Sequence, residues 1–438
     1  MHLIKIHKFG PITDCVMDIK KFTVLTGPQA EGKSTIAKAI YYFLCVKDIF
    51  REQILKNKTE NPLPLENVIN FLRTKFFATF GGGVVNSKEM RLEYFYKLDT
   101  WIVITASEKI SGRFFLDFQF SENFNLLLEK NFHKDLLFWE SEENRDELQK
   151  ILKSFFDIDF KPIYIPAGRS TIASLTDYIS EIFIRNDSTE NRMIEQNIGA
   201  CVRDYVLLIL ILRRTFFSTE PNHLFDDVIN DRSTADKNLI NYFLELVQKI
   251  LKGKYFFKNG EEFLITEENS SVQTKMSFAS SGQQEIVWVC NIMFFYLFQK
   301  IPVFLILEEP EAHLYPDSQK NISNLISLFV HAENNVLITT HSPYILGTLS
   351  NLLDAQRMKN EGYDISNLLK KENLISAQLL ERDNFSAYFV DGGNLYNAVD
   401  EENGLIKNEM IDDASDKING FADDLMYLER EGKNNVGQ

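Results

Sequence analysis

Apolar and polar positions alternate from the second residue. His2-Leu3-Ile4-Lys5-Ile6 and the β-rich run Phe22-Thr23-Val24-Leu25-Thr26 predict two strands, with a turn at Phe9-Gly10-Pro11 between them. Residues 27–32 form a glycine-bounded loop, and Lys33–Phe43 has helical spacing. Residues 52–85 are mixed, and Gly81-Gly82-Gly83 marks a break. Residues 90–120 read as antiparallel strands, 121–160 as helical, and Pro162–Pro166 as a strand. Residues 171–252 are mostly helical, with polar breaks near Asn186–Glu190 and Asp226–Ala235. Residues 255–276 return to short strands around the turn Lys258-Asn259-Gly260. From Ser277 onward the order is loop, helix, strand Val303–Leu307, helix, strand Asn335–Thr339, helix. That alternation predicts an α/β fold with a mostly parallel sheet. Heptads and internal repeats are not seen.

The end of the chain carries a different pattern. Ile411, Ala414, Ile418, Phe421, Leu425 and Leu428 recur at spacings of 3 and 4, one apolar face of an amphipathic helix over Glu409–Glu431. That face docks on the chain's own core or on a partner. Asp412, Asp413, Asp423 and Asp424 fall on its solvated side.

Composition narrows the class. A chain of 438 residues is long for one core. The expected division is a first lobe over 1–170, a helical insertion over 171–254, a second lobe over 255–400, and a tail over 401–438. The net charge of −15 disfavours a surface built for nonspecific nucleic-acid binding, and residues 381–438 hold 14 acidic against five basic side chains. The longest apolar runs, Tyr205–Leu212 and Ile286–Phe298, fall short of the ~18–20 residues of a membrane span and predict core helices. Met1–Gly10 alternates charged and apolar residues, unlike a signal peptide. The four cysteines, Cys15, Cys45, Cys201 and Cys290, form no CxxC pair. This argues against a zinc ribbon or disulfide framework and fits a cytoplasmic protein.

Four short stretches carry chemistry. Gly27-Pro28-Gln29-Ala30-Glu31-Gly32-Lys33-Ser34, followed by Thr35, fits GxxxxGK[ST] between a strand and a helix. Glycines let such a loop wrap a polyphosphate with its N–H groups inward, and the helix aims its positive N-terminus at the anion. Lys33 adds a cation for the β/γ-phosphates of a bound nucleoside triphosphate, and the Ser34 hydroxyl is placed for Mg²⁺. The strand Val303–Leu307 runs into Glu308-Glu309-Pro310-Glu311. Carboxylates ending a buried strand are costly unless something uses the charge, the alternative being a solvated strand end. Glu308 is expected in the Mg²⁺ shell, and Glu309 as general base or water-positioning group. His341 ends the strand after it, either structural or able to reach a γ-phosphate. Ser342-Pro343 reads as N-cap and N1 of the next helix. Finally, Ser277–Gln284 is small and polar directly before the chain's most apolar helix. Small residues there leave a helix N-terminus bare for phosphate.

In this order, Gly27–Ser34, Ala279–Gln284, "LILEEPEAHLYP" (305–316) and "TTHSP" (339–343) resemble the ABC-class ATPases. "FGPI" (9–12) and "EEPEAHLYP" are typical of the RecF/SMC/OLD branch, which includes ATPase subunits of antiphage systems such as PARIS and Septu. The resemblance implies a P-loop ABC head with a mixed or parallel core sheet, an antiparallel β subdomain and a helical insertion. It implies that Ala279–Gln283 is the signature, with Ser280, Gly282 and Gln283 serving ATP held by a second subunit. Glu311–Leu314 would be the loop crossing that dimer interface. Glu309, His341 and Lys33 would be catalytic, and Ser34 and Glu308 would hold Mg²⁺. Arg169, in Tyr164–Ser170, would approach nucleotide or the interface, or simply make a structural turn. No DxD-type nuclease set follows His341, and no long coiled-coil arm interrupts the chain. The expected function is therefore a homodimeric or larger ATPase that controls a separate effector, such as a nuclease, in antiphage defence. Its trigger would be DNA or a phage protein. The alternatives are a RecF-like DNA-repair ATPase and, less well matched, a transporter subunit.

Overall fold

The computed structural model describes residues 2–56, 64–110, 113–131, 141–169, 171–172, 198–217, 234–258, 261–265 and 273–407. The amphipathic helix expected over Glu409–Glu431 lies outside them.

The first half of the chain contains β1 (His2–Phe9), β2 (Ile12–Ile19), β3 (Phe22–Thr26), α1 (Lys33–Leu44), α2 (Val46–Lys56), α3 (Leu65–Phe80), β4 (Arg91–Lys97), β5 (Thr100–Ile110), β6 (Arg113–Phe120), α4 (Glu122–Asn131), α5 (Glu142–Phe156), β7 (Lys161–Ile165) and α6 (Ala200–Phe217). Then come α7 (Thr234–Leu251), β8 (Lys254–Lys258), β9 (Glu261–Ile265), β10 (Gln273–Lys275), α8 (Ser281–Gln299), β11 (Val303–Glu308), α9 (Pro316–His331), β12 (Asn335–Thr340), α10 (Pro343–Asn360), α11 (Ser366–Lys371), β13 (Phe385–Asp391) and β14 (Asn394–Asn397).

One 11-stranded sheet, in the order β6-β5-β4-β1-β2-β14-β13-β3-β12-β11-β7, organises the chain, and β8–β10 form a small second sheet. The α/β class and the mixed sheet expected from the sequence are both present. The sheet is not mostly parallel, however. The run β13-β3-β12-β11-β7 is parallel, whereas β6-β5-β4-β1-β2 is antiparallel and continues the same sheet. The two halves meet at β14, which pairs with β2 only through Asn394 and Asp14.

The strands β2, β13 and β14 were not anticipated. The expected turn at Gly10-Pro11 is the tip of a hairpin whose second strand is β2. Its inward positions, Cys15, Met17 and Ile19, do alternate, but Asp14 and Asp18 interrupt the apolar signal. Strand β13 owes its place to pairing with β3, more than 350 positions earlier, as Ser386↔Thr23 shows.

The parallel strands are covered on both faces, which is why β3, β7, β11 and β12 read as mainly apolar runs. Val24, Ile163, Leu305, Leu307 and Ile338 pack with α8 and α9 in one core. Leu25, Tyr164, Phe304, Ile306 and Leu337 pack with α1 in the other. The helices α1 and α8 therefore lie on opposite faces of the sheet. All four cysteines are free and buried, and burial pushes the thiol of Cys290 up to about 12. Among the described residues no helix is long and apolar enough to cross a membrane.

Candidate functional site

Strand register collects the motifs. Thr26 pairs with Thr340, Thr339 with Glu308, and Leu307 with Ile165. Four parallel strands thus end at one level, and the segments after them share one edge: 27–34, 341–342, 309–315 and 166–169. The carboxyl edge of a parallel sheet is where α/β proteins bind ligands.

The phosphate loop joins β3 to α1. Gly27 has φ 134°, and a Cβ there would stand 2.2 Å from the carbonyl oxygen of Val390, so β13 presses on the loop. The N-cap of α1, Gly32, carries no side-chain cap, which leaves the first helical N–H groups available to an anion. Pro28, Gln29, Ala30 and Ser34 are exposed, Glu31 and Thr35 half-buried, and Lys33 buried. The Lys33 ammonium donates to the carbonyls of Gly27 (2.7 Å) and Pro28 (2.5 Å). Burial pulls it below the usual lysine range, opposed by the carboxylates of Glu309, Glu311 and Glu31. The acidic strand end therefore faces the loop lysine.

Each carboxylate in that acidic segment has its own setting. Glu308 is buried; its Oε2 accepts from the N–H of Ala167 at 3.1 Å, and its Oε1 has no hydrogen-bond partner among the described residues. A buried carboxylate oxygen left without a donor fits a cation ligand. With the exposed hydroxyl of Ser34 at the start of α1, these donors fit Mg²⁺. Glu309 is half-buried at φ 44°, a conformation costing ~1–3 kcal/mol for a non-glycine residue, and its N–H donates to the Thr339 carbonyl at 2.9 Å. Glu311 is buried, and its Oε1 accepts from the Thr340 hydroxyl (2.7 Å) and the His341 N–H (2.8 Å). The same oxygen lies 3.4 Å from His341 Nδ1, and the His341 ring is 57% exposed. Glu311 thus orients His341, a role its spacing did not reveal. Ser342 caps α10 as expected, accepting from the N–H groups of Tyr344 and Ile345.

The stretch before α8 forms a capping box. Ser280 Oγ accepts from the Gln283 N–H, and Gln283 Oε1 accepts from the Ser280 N–H at 3.0 Å. Gln283 Nε2 also donates to the Leu251 carbonyl at 2.7 Å, so this side chain is occupied within the chain. Gln284 likewise braces the turn through the Ala279 carbonyl. At Gly282 a Cβ would stand 2.4 Å from the carbonyl oxygen of His313. The need for glycine here is therefore close packing against the 311–314 turn. Gly282→Ala should destabilise the chain by ~1–3 kcal/mol, read as a lower denaturation midpoint. An unchanged midpoint would show that the His313 turn yields freely.

Ser280, Gly282 and Gln283 sit at the start of a helix on the face opposite α1, and no hydrogen bond joins them to residues 27–35 among those described. Lys33, Glu308, Glu309 and His341 share the edge; the α8 turn stands beside it and is tied to the acidic segment instead. Arg169 makes that tie. It is fully buried against Glu285 and the acidic strand end, so it faces neither nucleotide nor an interface. The one sequence signal for Glu285 was a lone acid at the head of an apolar helix.

A protein-family model described as an AAA ATPase domain matches residues 1–346. No curated protein matches the chain. Among solved structures, an SMC head bound to the C-winged helix domain of ScpA is 13% identical, with 79% of this chain and 90% of that chain covered and a TM-score of 0.38. The SMC head domain from Thermotoga maritima is 12% identical, with 80% and 92% covered and a TM-score of 0.33.

Proposed function

This chain belongs to the AAA ATPase domain family, and from that premise we propose that it binds and hydrolyses ATP at a site completed by a second copy of itself. The observation that carries this reading is the placement of the phosphate loop and the Ser280 turn on helices covering opposite faces of one sheet. Each half is built to meet phosphate, and the two do not meet within one chain.

In this reading the N–H groups at the start of α1 and the Lys33 ammonium hold the polyphosphate. Ser34 and Glu308 would hold Mg²⁺, which would neutralise phosphate charge. Glu309 positions the attacking water and takes its proton, and His341, steadied by Glu311, faces the terminal phosphate. From the partner, the capped helix start at Ser280–Gly282 closes over the same phosphate. Phe278, Tyr315 and Tyr344 are 80%, 68% and 54% exposed, and they flank the Ser280 turn, the 311–314 turn and His341. Large exposed aromatics around a site support an interface there.

The test is the concentration dependence of turnover. ATPase rate per chain should rise with protein concentration and then level off as the dimer fills. A rate per chain unchanged over a ~100-fold dilution, checked against light scattering for the monomer, would overturn the composite site. Mixing Ser280→Arg with Lys33→Ala chains should restore at most one working site per dimer.

The motif resemblance supports a finer reading: the ATPase controls a separate effector, such as a nuclease, in antiphage defence. Co-purification of the chain with the product of its neighbouring gene is the expected result. Salt-sensitive DNA binding with DNA-stimulated turnover by the chain alone would favour the repair reading instead.

A further inference from the structure

Gly168, at φ 69°, turns the chain after β7 and delivers Arg169 into the core. The arginine is 0% exposed and its groups reach three separate segments. The backbone N–H donates to Glu285 Oε2 at 2.9 Å, and Nε donates to the Glu285 carbonyl at 3.1 Å. Nη1 donates to the carbonyls of Pro166 (3.1 Å) and Glu308 (2.6 Å), and Nη2 to that of Glu309 (3.0 Å). The Glu285 carboxylate stands 3.3 Å from Nε and is itself 1% exposed. One planar fork therefore grips two consecutive carbonyls of the acidic segment, a geometry that an ammonium cannot reproduce.

We propose that Arg169, anchored by Glu285, is a positioning residue for hydrolysis: it fixes the backbone of Glu309, and so its carboxylate, relative to the N-terminus of α8. The inference rests on the ATPase reading above. Glu309 holds an unfavourable φ of 44°, which persists only where its surroundings over-determine it. Arg169 on the carbonyls of 308 and 309, and Thr339 on the Glu309 N–H, do this. Glu285 lies in the turn of α8 just beyond the Ser280 cap, so α8 cannot shift without carrying Arg169 with it. A buried ion pair is weak evidence for stability, since two well-packed apolar residues serve that end as well. Directed hydrogen bonds to the carbonyls flanking the general base are something apolar residues cannot supply. Arg169 is sealed from the phosphate loop and touches no reacting atom in this scheme.

The experiment compares Arg169→Lys with the wild-type chain and with Glu309→Gln, measuring ATP turnover and the affinity for a non-hydrolysable ATP analogue. Lysine keeps the charge beside Glu285 but loses the fork. A misplacement of about 1 Å costs ~10²-fold, so kcat should fall ~10- to 100-fold with analogue affinity within ~threefold. Glu285→Gln, which keeps an acceptor for the Arg169 N–H, should lower kcat ~3- to 10-fold, again sparing affinity. Combining the two should cost less than the product of the single losses. The proposal is overturned if folded Arg169→Lys turns over within twofold of wild type. It is equally overturned if affinity falls in step with kcat, or if both variants fail to fold. Should the wild-type chain show no turnover, the ATPase reading fails; should Glu309→Gln turn over normally, Glu309 is not the general base and the positioning role falls with it. Should Glu309→Gln be inactive and Arg169→Lys unaffected, only the positioning role fails.

Discussion

Glu309→Gln is expected to cut ATP turnover by roughly 10²–10⁴-fold while leaving nucleotide affinity nearly unchanged, the range a positioned general base contributes. Glutamine keeps the length and the hydrogen-bonding ability of the side chain but cannot take a proton. The backbone of residue 309 should stay in place, since its N–H and carbonyl are held by Thr339 and Arg169. The variant should therefore bind ATP, close with its partner and stay closed. Rapid-quench measurement of a single turnover, beside equilibrium binding of the same nucleotide, separates the two effects. Turnover above about a tenth of the wild-type rate would remove Glu309 from the chemistry and shift attention to Glu311. That buried carboxylate also opposes the burial that lowers the Lys33 pKa, and its Oε2 has no hydrogen-bond partner among the described residues.

Lys33→Ala should act on the opposite quantity. Truncating one partner of a desolvated charge pair costs ~2–5 kcal/mol, a loss of ~30-fold to several-thousand-fold in ATP affinity. The Lys33 stem is buried and its ammonium bridges the carbonyls of Gly27 and Pro28. The substitution therefore also frees the loop from its inner brace. Lys33→Met isolates the charge, because it fills much of the same volume. Isothermal titration with ATP and Mg²⁺ should show both variants weakened by similar factors. If Lys33→Met bound ATP as tightly as wild type, the cation would carry no part of the affinity and only loop packing would matter.

The chemistry-bearing stretches were legible because each is a local pattern with a local cause. Glycine spacing sets backbone conformation within the phosphate loop. Ser280 and Gln283 exchange hydrogen bonds three residues apart, and Ser342 caps the helix it precedes. The strands Phe22–Thr26, Val303–Glu308 and Asn335–Thr340 announced themselves as short β-rich runs with largely apolar centres, the mark of strands covered on both faces. Strand β2 was missed because its aspartates broke the run, and β13 because a pairing partner at great sequence distance makes it a central strand.

Other features have no local signature. Arg169 and Glu285 are 116 positions apart, and nothing local to either shows their pairing until strand order brings them together. Glu311 and His341 meet because β11 and β12 are neighbours in register. The glycine at 282 looked like an opening for phosphate, yet the close approach of the His313 carbonyl also demands it.

The amino-acid sequence by itself determined the α/β class, the phosphate loop, the acidic strand end and the small-residue turn before α8, because each follows from the conformational and hydrogen-bonding capacity of a few adjacent residues. Tertiary structure decided which of these face one another. Sheet order and register set the Lys33 ammonium against the carboxylates of Glu309 and Glu311. Two-sided covering of the sheet put the phosphate loop's helix and α8 on opposite faces. Burial turned Arg169 from a candidate ligand into the link between α8 and the acidic strand end, since a guanidinium shielded from solvent must spend its donors on whatever carbonyls the fold brings within reach.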